Sequence, residues 1–279
     1  MLVAFSLLLA LNQVVIKVST GGFQPVFLAG MRSFLAMLVL MAWMRLRNIP
    51  MGVPVAARWP AVLLGVLFAY EFVCLFVALD YTTVGRASIM FYTMPVWTTV
   101  GAHLLIPGER MTRRRVLGLI LAMAGVTVAL LDRTELGPYA LWGDLLALTG
   151  ALGWAGIALT VRATPASRLK PEQQLFWQLA ISGPILLLLA PLFGELLRDP
   201  EPIHYAGLAF QVLAVASMGY LFWFWLMGRY PASGVASFGF LTPVFSVFLG
   251  WVMLGEHIGV GVFVGLLMVA MGLILINRR

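Results

Sequence analysis

The second half of this 279-residue chain repeats the first, and it does so across an odd number of hydrophobic segments. Tyr81, Gly85, Ala87, Ser88, Pro95, Gly108-Glu109, Gly118 and Gly125 reappear as Tyr230, Gly234, Ala236, Ser237, Pro243, Gly255-Glu256, Gly265 and Gly272. The offset drifts only from 149 residues (230 minus 81) to 147 (256 minus 109). Each copy holds five apolar segments, so a membrane-embedded second copy enters the bilayer upside down relative to the first. Inverted repeats of this kind place a substrate site near the midplane between the halves and are a construction used by secondary transporters.

A membrane location follows from the apolar runs. Only 10% of the residues are charged, against about 25% in soluble domains. Runs long enough to span a bilayer as helices lie near 2–19, 25–44, 59–80, 84–106, 114–131, 141–161, 174–194, 204–228, 232–254 and 259–276. They leave loops too short for an extramembrane domain. The expectation is therefore one all-α membrane domain of ten transmembrane helices in two inverted five-helix repeats, residues 1–131 and 141–279. The first run carries Asn12, Gln13 and Lys17 and lacks a basic leader and a small-residue cleavage site, so it reads as a helix and not as a signal peptide.

The net charge of +7 suggests nucleic-acid binding until its distribution is considered. Thirteen of the 18 Lys and Arg fall on one side: Arg45, Arg47, Arg58, Arg110, Arg113, Arg114, Arg115, Arg162, Arg168, Lys170, Arg229, Arg278 and Arg279. The other side has Lys17, Arg86, Arg133 and Arg198, and Arg32 lies within a segment. By the positive-inside rule both termini face the cytoplasm of a bacterial cell (inner) membrane, as ten spans require. The acidic loops, with Glu195, Asp199 and Glu201 in one and Asp132 and Glu135 in the other, then face out. Trp59, Tyr139 and Trp142 sit at segment ends, where aromatic side chains anchor helices at the interface. The lone Cys74 supports neither a disulfide nor a metal cluster, and no cofactor or nucleic-acid partner is expected.

The fourth and ninth segments each carry a proline, Pro95 and Pro243. Proline has no amide hydrogen to donate, so the carbonyls of Phe91 and Gly239 lose their helical partners. The result is either a packing kink or an opened backbone at a cavity, where water or protein satisfies the freed group. The fifth and tenth segments are rich in small residues (Gly118, Ala122 and Gly125; Gly259, Gly261, Gly265 and Gly272), which lets backbones approach closely. That pair suits a scaffold or a dimer contact, which leaves both monomer and homodimer open.

Two five-segment copies, each running from Pro through Gly-Glu to a glycine-rich last helix, resemble the drug/metabolite transporter superfamily and its EamA-type exporters. The first segment fits the family's Asn-x4-Lys pattern at Asn12 and Lys17, and the sixth fits the paired pattern at Trp154 and Arg162 after Gly143-Asp144. The family's usual Trp-Gly in the first segment is Leu9-Ala10 here. The resemblance implies a central cavity lined by segments one, three, four, six, eight and nine. It also implies export of small solutes, often amino acids.

Within that frame Glu71 stands out, because an ionised carboxylate midway along a membrane helix has to face a cavity, find a partner or take a proton. It is a candidate for proton coupling or for a substrate amine, with a fixed ion pair as the structural alternative. Arg32 lies seven residues past Pro25, roughly 10 Å into the membrane, and offers either a substrate carboxylate site or a charge pair. Lys17, nearer a helix end, is the third such candidate. Asn12 is favoured for substrate contact over Gln13 because it falls on the family pattern. Phe91, Tyr92, Trp154, Tyr220, Trp223 and Ser237 complete the candidate binding set and point to an aromatic-lined site for a large apolar side chain. The functional expectation is a non-enzymatic secondary transporter that exports small metabolites by alternating access, aromatic or large apolar amino acids first. A channel-like facilitator on the same fold is the alternative. No buried carboxylate pair and no phosphate-binding loop supports an enzyme.

Overall fold

The computed structural model describes residues 2–108, 111–132, 137–222 and 241–277. Among them the ordered backbone is helical. The one sheet-like contact is an isolated bridge between Phe23 and Leu197. The helices are α1 (Leu2–Ser19), α2 (Pro25–Leu46), α3 (Val55–Tyr81), α4 (Val84–Phe91), α5 (Met94–Leu105), α6 (Arg113–Leu131), α7 (Ala140–Ala163), α8 (Pro171–Leu189), α9 (Pro202–Phe210), α10 (Leu241–Leu254) and α11 (Val260–Asn277). Six stretches are long and apolar enough to cross a membrane: α2, α3, α6, α7, α8 with the 3-10 turn that follows it, and Pro202–Phe222.

Local chemistry explains where several helices begin. Gln24 precedes Pro25 and its side chain accepts from the Phe27 amide at 2.5 Å, so α2 starts with both proline at its first turn and a cap. Thr83 and Thr112 cap α4 and α6 in the same way, accepting from the amides of Arg86 (3.2 Å) and Arg115 (3.3 Å). Helix α9 passes into a π segment, Gln211–Gly219, in which the Ser217 hydroxyl donates to the Val212 carbonyl five residues back at 2.8 Å. The wider turn follows the i to i+5 spacing of π geometry, and the helix runs on through Tyr220 to Phe222.

The fourth apolar segment is not one helix. It breaks into α4 and α5 around Tyr92 and Thr93, and Pro95 lies in the first turn of α5, where its missing N–H costs nothing. Thr93 closes the break by donating its hydroxyl to the Met90 carbonyl at 2.6 Å. Pro95 thus marks the break between α4 and α5. Pro243 sits in the first turn of described α10, and Gly239 lies outside the described residues.

Helix α3 is the inner post of the bundle, packed by α2, α7 and α8, while α1 lies against α9 and α10. Small residues on α7 allow that approach: a Cβ on Gly150 would meet the Cys74 Cβ at 3.2 Å, and one on Gly153 the Glu71 Cβ at 3.3 Å. The glycine-rich α6 and α11 pack backbone to backbone. A Cβ on Gly118 would lie 2.7 Å from the Gly272 carbonyl oxygen, and one on Gly265 would lie 2.6 Å from that of Gly125. The small-residue faces are thus used within the chain as a scaffold. The outer face of α11 presents Val260, Phe263, Val264, Leu267 and Met271 at helical spacing, an apolar stripe suited to lipid.

Candidate functional site

Polar side chains inside the bundle fall into two regions. The first lies at the level of Glu71. Arg32 (α2) is buried, with its guanidinium carbon 4.6 Å from the Phe72 ring centre and 5.9 Å from that of Phe76. Cation–π contact of this kind holds the group without using its hydrogen-bond donors. Glu71 is one residue from Phe72 and is equally buried, at 3% exposure. The two charges feel each other electrostatically, yet they are not among the ion pairs of the described residues. The Tyr220 hydroxyl lies beside the Arg32 guanidinium. Tyr92 is placed next to Gln13 and Thr242, and Gln13 accepts a hydrogen bond from the Ser88 hydroxyl.

Several polar atoms in the bundle stay unused, the two central charges among them. The Arg32 Nε, the Glu71 Oε2 and the Asn12 Oδ1 are buried and have no hydrogen-bond partner, and so are the Ser33 and Ser246 hydroxyls. Each such group costs about 1–3 kcal/mol when left unsatisfied. The structure thus brings together Arg32, Glu71, Tyr92 and Tyr220 from the sequence-derived set, and adds Gln13, Ser88 and Thr242. Phe91 packs edge-on to Tyr92, with ring centres 5.7 Å apart. Trp154 is partly buried on α7 and packs against the core. Trp223 and Ser237 lie outside the described residues.

The second region is a layer at the end of the bundle where α3 finishes and α4, α7 and α11 begin. Lys17 does not reach for the interface. Its Nζ donates to the Leu79 (2.9 Å) and Thr82 (2.6 Å) carbonyls, a cation on the negative end of α3. Glu256, in the connection between α10 and α11, accepts from the Val84 (2.6 Å) and Gly85 (3.1 Å) amides at the start of α4. Arg86 is buried and paired with the fully buried Asp144, Nη2 to Oδ2 at 2.5 Å and Nε to Oδ2 at 3.0 Å, while its Nη1 donates to the Asp132 carbonyl. Thr82 donates to Asp144 at 2.8 Å. The Asp132 side chain caps α11 through the Gly261 (2.8 Å) and Val262 (3.2 Å) amides. Gly143 makes the Asp144 contact reachable: a Cβ there would sit 3.0 Å from the Ala78 carbonyl oxygen.

Burial pushes the Glu256 carboxyl up from the ordinary range, and the Val84 and Gly85 amides with Lys17 pull the other way. A second ion pair, Arg198 with Asp80 at 2.9 Å, ties the loop after α8 to the end of α3 at this same end.

Sequence reasoning missed Arg86, Asp144, Glu256 and Asp132 as a connected layer. The available signal was that Gly143-Asp144 and Gly255-Glu256 put carboxylates at helix ends, beside the basic residues of the sparsely charged side.

A model of the EamA-like transporter family matches residues 1–131 and 141–278. The chain is 23% identical over 276 residues to the uncharacterized transporter YoaV of Bacillus subtilis, covering 98% of this chain and 94% of that protein. It is 25% identical to a protein of Escherichia coli named probable amino-acid metabolite efflux pump (94% of this chain, 89% of that one). A Salmonella typhimurium protein of the same name is 27% identical (88% and 83%). One solved crystal structure superposes with a TM-score of 0.68 at 22% identity, over 98% of this chain and 94% of that one, and shows a shared fold.

Proposed function

The chain belongs to the EamA-like transporter family of the drug/metabolite transporter superfamily, and we propose that it exports amino acids, aromatic or large apolar ones first, from the cytoplasm by alternating access. It is a multi-pass membrane protein. Ten spans in two inverted repeats, with both termini on the cytoplasmic side of the inner membrane, complete the proposal. The observation that carries it is the mid-bundle region: a buried cation and a buried anion, ringed by aromatics, whose polar atoms are not spent on each other. The names of the two enterobacterial relatives support the substrate class.

In the proposed orientation the layer of Lys17, Arg86, Asp144 and Glu256 lies at the extracytoplasmic end. There it joins the two copies, because Glu256 of the second caps α4 of the first and Asp132, directly after the first, caps α11 of the second. A seal built this way has to part for release. Burial works against the Glu256 carboxylate, which makes this the contact best suited to being made and broken.

Release of labelled amino acids from cells expressing the chain, with and without a proton uncoupler, tests the reading. Expected is faster, saturable release of phenylalanine or a related amino acid than from control cells. Release that rises linearly with internal concentration would favour a channel-like facilitator, and no accelerated release of any amino acid would remove the substrate class.

A further inference from the structure

Arg32 and Glu71 are close enough to interact electrostatically, held apart from a direct pair, and each keeps a buried polar atom without a partner. Charges buried for structural reasons are normally fork-paired, because the hydrogen bonds of the pair offset the cost of leaving water. Arg86 and Asp144 do this within the same protein. At Arg32 the aromatic faces of Phe72 and Phe76 fix the guanidinium plane and the Tyr220 hydroxyl lies beside it, leaving Nε undirected at any protein acceptor. At Glu71, α7 presses close at Gly153, and Oε2 is left over.

We infer that Arg32 and Glu71 form a split seat for a zwitterion, in which the guanidinium takes the α-carboxylate of an amino acid and the Glu71 carboxylate takes its α-ammonium. The inference rests on the amino-acid reading above and adds the polarity of the bound substrate. An α-amino acid carries its two charges on one carbon and inserts between two fixed charges of opposite sign. A monovalent ligand neutralises one charge and strands the other. Specificity then comes from the penalty of leaving a buried charge without a partner. Tyr92, beside Gln13 and Thr242 and within electrostatic reach of Glu71 and Tyr220, supplies apolar surface for the side chain.

The test uses three ligands with the same phenyl group on purified full-length protein: L-phenylalanine, 2-phenylethylamine, which lacks the carboxylate, and 3-phenylpropanoate, which lacks the amine. The native protein is expected to bind phenylalanine roughly ten- to a hundredfold more tightly than either truncated ligand. In Arg32→Gln the advantage over phenylethylamine collapses while that over phenylpropanoate persists, and in Glu71→Gln the pattern inverts. Arg32→Lys and Glu71→Asp, which keep the charges, retain both preferences at reduced affinity and guard against a merely misfolded variant. If phenylalanine binds and either truncated ligand binds as well, the substrate class stands and the seat falls. If Glu71→Gln removes the response to a proton gradient and leaves the preference for the amine intact, Glu71 carries protons and the seat is wrong. If no amino acid binds the native protein, the proposed substrate class falls and the seat with it.

Discussion

Two sets of charges share this bundle and are treated in opposite ways. At the end layer Arg86 directs Nε, Nη1 and Nη2 at acceptors, Asp144 receives both Arg86 and Thr82, and Glu256 and Asp132 each hold two backbone amides. At the level of Glu71, Arg32 rests on rings and keeps Nε free of partners, and Glu71 keeps Oε2. Burial is the same, 2% exposure for Arg86 and 3% for Arg32 and Glu71. Burial alone therefore does not separate a structural charge from a functional one. In the proposed reading the unspent hydrogen bonds of Arg32 and Glu71 set them apart from the Arg86–Asp144 pair.

The comparison can be broken most forcefully at the end layer. Arg86→Ala leaves Asp144 buried without its cation and is expected to cost about 3–5 kcal/mol, read as a fall in thermal midpoint or as loss of monodisperse protein. A variant as stable as the native protein would show that the layer does not hold the fold. Next in size is the α6–α11 contact, which is built on glycine. Gly265→Leu drives a side chain into the Gly125 backbone and Ala129, and overpacking of this kind costs about 1–3 kcal/mol. Its thermal midpoint should fall while phenylalanine affinity is retained.

Much of this arrangement was legible in the sequence, and the remainder was hidden for a physical reason. The apolar runs gave the helices because membrane spans are set by local composition. Glu71 and Arg32 stood out because charge within such a run is costly wherever it occurs. Pro95 marked the place where the fourth run divides into α4 and α5. The end layer was not legible, since Arg86 meets Asp144 across 58 positions and Val84 meets Glu256 across 172. Those contacts depend on how α3, α4, α7 and α11 pack. Lys17 stands out in the sequence only as a cation near a helix end, and the position of the α3 terminus shows that its partners are the Leu79 and Thr82 carbonyls.

Smaller effects sharpen the contrast. Glu256→Gln keeps an acceptor for one α4 amide and gives up the charge facing Lys17, so a loss of about 1 kcal/mol is expected. A loss as large as that of Arg86→Ala would make Glu256 a fixed strut rather than a releasable contact. Glu71→Gln stands at the bottom of the stability series. It removes a charge that has no direct partner, so its thermal midpoint should match or exceed that of the native protein, although phenylalanine export is lost.

The most direct measurement is the thermal midpoint of native protein and Glu71→Gln, each with and without saturating L-phenylalanine. At about a hundred times the dissociation constant, a bound ligand stabilises the native state by about 2.7 kcal/mol. The account predicts a rise for the native protein, and for Glu71→Gln an unliganded midpoint at least as high as the native one with little further gain from phenylalanine. A Glu71→Gln protein that is strongly destabilised without ligand, or that gains as much from phenylalanine as the native protein, would contradict it.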